Sequence, residues 1–122
     1  MTTVAEALDA LRRSMEDGEG CPILRWHEDG ADESRFFNDV AAELAAGYSQ
    51  GRYSYEFGDF AANALWATYL HSVGHGRSEI PYPALAISVF EAFDAGELAS
   101  AAVPDPVSTY TDPEIAAIVS KL

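Results

Sequence analysis

The chain has 122 residues, of which 48% are hydrophobic; that is enough for one packed core and too many for a disordered chain. Twenty Asp and Glu against seven Lys and Arg leave a formal net charge of −13, which argues against any surface built to hold nucleic acid or an anionic membrane, since phosphates attract the opposite sign. The lone cysteine, Cys21, excludes an internal disulfide and fits a reducing compartment.

The first helix is expected to begin at Thr3, because Thr3 and Glu6 have capping-box spacing. Val4, Leu8, Leu11 and Met15 follow at helical intervals as its apolar stripe, Arg12 and Arg13 suit its C-terminal end, and Gly18 and Gly20 stop it. The opening "MTTVAEALDALRRS" lacks a basic segment leading into an apolar core, so no signal peptide is read, and the expected location is cytoplasmic. Residues 19–31, "EGCPILRWHEDGA", form a connector in which Ile23, Leu24 and Trp26 call for cover from water; a short extended piece is expected near residues 22–27.

A second helix should start near Asp32 or Ser34. Phe36 or Phe37, Val40, Leu44 and Tyr48 supply its apolar stripe, Arg35, Asp39 and Glu43 its wet face, and Gly47 and Gly51 its fraying end. The third runs from about Tyr55 to Val73, with Ser54 as N-cap. Its middle, "FAANALWATYL", is apolar nearly all round, with Phe57 and Phe60 in phase with Ala64, Ala67 and Leu70. Asn63 then lies in or near the core and needs a hydrogen-bond partner.

The loop "GHGRSEIPYP" leads to a fourth helix from about Pro83 to Ala95, with Pro83 in its first turn and Leu85, Ile87, Val89, Phe90 and Phe93 as apolar content. After the Pro-rich crossing "AAVPDPVSTY", Thr111 and Glu114 again show capping-box spacing, and Ile115, Ile118, Val119 and Leu122 form the last stripe. The fold class read from this pattern is all-α: one domain spanning residues 1–122, a bundle of about five helices with the apolar third and fourth at its centre. No apolar run reaches the roughly 18–20 residues of a membrane span.

Motifs for chemistry are sparse. His71 and His75 have the i, i+4 spacing of a zinc-binding helix face, but "HSVGHG" lacks the glutamate of the metalloprotease motif. Glu79 or the cluster His27, Glu28 and Asp29 would have to complete the site. The alternative is two imidazoles at a helix C-terminus, where the dipole favours them. Cys21 lies in "EDGEGCP", whose negative charges raise a thiol's pKa, so a nucleophile is not supported. No phosphate-binding glycine loop and no basic patch appears, and there is one lysine. No cofactor is expected, and the residues point away from an enzyme.

The charge and the tyrosines remain. Thirteen of the twenty acids precede Phe60. The stretch "GRYSYEFGDF" places Tyr53, Tyr55, Phe57 and Phe60 among Glu56 and Asp59. Tyrosines at helix ends either anchor loops to the core or meet a partner, where they supply large rigid area with a polar tip. The expected function is a small acidic protein-binding module, in its sharpest form an inhibitor or immunity-type protein neutralising a basic toxin or nuclease. Its expected surface is Asp39, Glu43, Tyr48, Tyr53, Tyr55, Glu56 and Asp59, facing a basic protein rather than nucleic acid or membrane. Two other readings compete: a metal-dependent enzyme using His71, His75 and carboxylates, and a helical oligomerising protein without a ligand.

Overall fold

The computed structural model describes residues 2–20, 30–74 and 81–122, and only the backbone of residues 30–32. Cys21, the expected extended piece near residues 22–27, the cluster His27–Asp29, His75 and Glu79 lie outside the described residues. Those described contain no strand; they form α1 (Val4–Glu16), α2 (Gly30–Ser49), α3 (Tyr55–Gly74), α4 (Ala84–Asp94), a π-helical turn (Val107–Thr111) and α5 (Asp112–Val119). The all-α bundle of five helices expected from the sequence is what is found. None of these helices is long and apolar enough to cross a membrane.

Helix α1 starts where its capping box predicts: Glu6 N donates to Thr3 Oγ1 and Thr3 N donates to Glu6 Oε1, both at 3.1 Å. These bonds to Thr3 hold the Glu6 carboxyl below its usual pKa. Ala7, Leu8 and Leu11 are buried, with Val4 and Met15 packed at the edges.

Helix α2 begins earlier than Asp32 and packs against all four other helices. It can do so because its buried face mixes the large Phe37, Val40 and Leu44 with the small Ala41 and Ala45, letting neighbours approach closely. Phe37 rather than Phe36 carries the core position. Gly47 does not fray the helix as expected: it is a buried helical residue, and the ring of Tyr53 occupies the space its Cβ would need. The stop comes at Gly51, whose φ of +79° is the left-handed conformation of a helix C-terminus. Arg52 N donates to Gly47 O at 2.8 Å and Gly51 N to Tyr48 O at 3.1 Å, the paired bonds of a Schellman end.

Helix α3 is capped by Ser54, whose Oγ accepts from Phe57 N at 3.1 Å. Its buried face runs through Phe57, Gly58, Ala61, Ala62, Ala64, Leu65, Thr68 and Ser72. The expected continuation through Ala67 to Leu70 is corrected: Leu70 is 49% exposed. A helix apolar all round gives no phase by itself, so its neighbours choose the face. On its half-buried side, Trp66 stacks between Phe90 of α4 (5.1 Å) and Tyr69 (6.0 Å).

Helix α4 packs against α2, α3 and α5. Pro83 is its N-cap, not a first-turn residue, and supplies no side-chain bond. That bond comes from α2, where Asn38 Oδ1 accepts from Ala86 N at 3.0 Å. The C-terminal helix departs most from expectation. Thr111 caps nothing: its backbone is helical (φ −62°, ψ −53°), whereas a capping residue needs an extended one. The chain already coils from Asp105, whose Oδ1 accepts from Ser108 N at 3.2 Å. The π-helical turn then runs directly into α5. Thr111 is fully buried and donates through Oγ1 to Ala92 O at 2.7 Å, tying this turn to α4. Ile115 is the buried anchor of α5, while Leu122 is exposed.

Candidate functional site

The structure divides the residues that the sequence groups as one surface. Tyr48 and Tyr55 converge on Phe93 at the end of α4. Tyr48 sets its ring edge-on to Phe93 at 5.1 Å and donates its hydroxyl to Asp112 Oδ1 at 2.5 Å. Tyr55 packs at 5.9 Å and donates to the Phe93 carbonyl at 2.7 Å. Partial burial raises the pKa of both hydroxyls above the usual phenol value. The bonded carboxylate of Asp112 reinforces this for Tyr48, and the charges of Asp59, Glu97 and Asp94 reinforce it for Tyr55. Each ring therefore has an internal task of joining α2 or α3 to α4 and its neighbours.

Tyr53 has different company. It tilts against Phe57 at 5.2 Å, and the guanidiniums of Arg12 and Arg52 each lie 5.6 Å from its centroid. Glu43 accepts from Arg52 at 2.8 Å. Asp39 and Glu56 are exposed on α2 and in the first turn of α3. His71 is exposed in the last turn of α3. Among the described residues no group of three or more His, Cys, Asp or Glu is arranged to hold a metal ion.

Asp59 is where charge gathers. It and Asn63 lie one turn apart on α3, facing Asp94 at the end of α4 and Glu97 just beyond it. Asn63 Nδ2 donates to Asp59 O at 2.7 Å, to Asp59 Oδ1 at 3.3 Å and to Glu97 Oε2 at 3.2 Å. The partner that the sequence demanded for Asn63 is thus a pair of acids. Partial burial, then a hydrogen bond shared with Glu97, then the charges of Glu97 and Asp94 push the Asp59 carboxyl up to about 7; the Asn63 bond opposes them. Partial burial and Glu97 also raise Asp94. Two carboxyls this close hold one proton between them more readily than two charges.

Among the described residues, none of these acids forms an ion pair. Asp94 and Glu97 were missed in the sequence. The available signal was "EAFDAGE", acids gathered at a helix C-terminus without a cation to meet the dipole.

A pH effect follows, with a definite sign. A carboxyl with raised pKa makes the folded state bind more protons than the unfolded one. Stability contributed by protonated Asp59 is therefore present below its ordinary value of 3.8 and is lost as pH rises toward about 7. Asp59→Asn mimics the protonated form. It is expected to match the native chain at pH 3 and to exceed it at pH 8 by about 1 kcal/mol, the shift being discounted for solvent screening at a half-exposed site. Urea unfolding at the two pH values checks this; an equal difference at both would refute the shared proton.

No protein-family model matches the chain, and neither a curated protein nor a solved structure matches it.

Proposed function

We propose that this protein is an acidic protein-binding module that docks a basic partner through Asp59, Asp94 and Glu97, with exposed Glu56 alongside. One observation carries the reading: three carboxylates lie together with no cation paired to them among the described residues, and partial burial followed by the bond and charge of Glu97 and the charge of Asp94 lifts Asp59 to about 7. Lysine or arginine side chains from a partner relieve that repulsion and displace the shared proton. The net charge of −13 adds long-range attraction for the same partner and speeds encounter. A nuclease or toxin whose site is basic because it handles phosphate has the complementary surface, which makes an inhibitor or immunity-type role the sharpest form of the proposal.

The test is capture from the host's own lysate at low salt, with proteins encoded beside this one included, followed by binding kinetics on what is caught. A basic partner whose association slows at least about tenfold in Asp59→Asn/Asp94→Asn/Glu97→Gln, and slows with added salt, supports the proposal. Capture of no basic partner, or a partner indifferent to the triple variant, sinks it.

A further inference from the structure

A second feature, built from other residues, lies between α1 and the α2 end. It is an open groove of about 460 Å³ lined by Val4, Ala5, Leu8, Asp9, Arg12, Glu43 and Tyr53. That volume is in the range of sites for small molecules, roughly 300–1,000 Å³. Val4, Ala5 and Leu8 supply apolar surface from one face of α1, and Tyr53 supplies an aromatic wall. The wall is fixed from behind, because Tyr53 fills the space beside Gly47 and leans on Phe57.

Both signs of charge line the groove. Arg12 makes no ion pair among the described residues, and its guanidinium lies 5.6 Å from the Tyr53 centroid and 5.4 Å from that of Phe57. Contact with ring faces satisfies the flat side of a guanidinium and leaves its N–H edge for a carboxylate, which it grips with two parallel bonds. Asp9 pairs with Arg13 at 2.9 Å and Glu43 with Arg52 at 2.8 Å, but all four side chains are substantially exposed. Such surface pairs are weak and leave carboxylate oxygens for another donor.

This balance selects the occupant. A purely cationic entrant meets Arg12 together with the arginines already on Asp9 and Glu43. A purely anionic one lies against two acids. We infer that the groove binds a small zwitterion with an apolar side arm, namely a free aromatic or branched aliphatic α-amino acid. Its carboxylate lies on Arg12, its ammonium on Asp9 or Glu43, and its side chain on Val4, Ala5, Leu8 and Tyr53.

Calorimetry on the full chain with L-phenylalanine, L-leucine, 3-phenylpropanoate and phenethylamine tests each part. The expected result is saturable millimolar or tighter binding of the two amino acids, with the anion and the amine each at least about tenfold weaker, as expected for loss of one charge-assisted contact. Arg12→Gln is expected to lose about tenfold in phenylalanine affinity while the chain stays folded with at most a small fall in its unfolding midpoint, since Arg12 is exposed and only its contacts with the Tyr53 and Phe57 rings are lost. No saturable binding overturns the inference. So does phenethylamine binding as tightly as phenylalanine, which would make the groove a cation site. Neither outcome bears on the carboxylates of α3 and α4, so this inference and the proposed partner docking fail separately.

Discussion

Replacing Phe93 with alanine is expected to lower the unfolding free energy by about 3–5 kcal/mol, the usual cost of emptying a large aromatic site. A domain of this kind has only about 5–15 kcal/mol in total, so the variant should sit near the edge of folding. The large value follows from where the ring lies. Phe93 is fully buried, and Tyr48 of α2, Tyr55 and Gly58 of α3 all close on it. Three helices thus share one side chain, and the cavity cannot collapse without moving two tyrosines whose hydroxyls are already engaged, Tyr48 with Asp112 and Tyr55 with the Phe93 carbonyl. Urea denaturation followed by circular dichroism measures the loss. A cost under about 1 kcal/mol would mean that the site repacks freely and that the three-helix junction lies elsewhere.

Gly58→Ala should be destabilising as well, against the helix-propensity rule. An alanine in the middle of a helix ordinarily gains about 1 kcal/mol over glycine. Here its Cβ would overlap Cε1 and Cζ of Phe93. Overpacking of a rigid core costs about 1–3 kcal/mol, and the ring cannot retreat because Tyr48 and Tyr55 hold it from other sides. Sterics therefore offsets or outweighs propensity, with a net loss of up to about 2 kcal/mol expected. The diagnostic is the double variant: in a Phe93→Leu background the new methyl finds room, so the same substitution becomes neutral or stabilising there. Strict additivity of the two changes would contradict the contact.

What the sequence disclosed about the fold was local in range. The Thr3–Glu6 box, the Ser54 cap, the α1 stripe and the need of Asn63 for a partner all depend on residues within four positions, where spacing alone sets geometry. The failures came where local spacing imitated a signal or where neighbours decided. Thr111 and Glu114 have the spacing of a cap, yet Asp105 had already started the helix, and Thr111 was drawn into the core by the Ala92 carbonyl. Gly47 looks like an end on paper and is a contact in space.

The candidate site was half readable for the same reason. Asp59 was singled out, but the acid that acts on it most is Glu97, just beyond α4 and 38 positions away. Tyr48 reaches Asp112 across 64 positions. No periodicity reports such pairings, and net charge does not say which acids converge.

The Asn38 bond to Ala86 has a consequence for how the bundle opens. Amides in the first turn of a helix ordinarily find partners from the residues just before it, so helix ends loosen by themselves on fast timescales. In the fourth helix Ala84 N has such a partner in the Tyr82 carbonyl, but Pro83 offers no side-chain bond and the acceptor for Ala86 N belongs to α2. Its beginning is therefore not an independent fraying unit. Unlatching it means lifting it off α2, so its first turn belongs to the same cooperative opening event as the interface between them, and the two are gained and lost together.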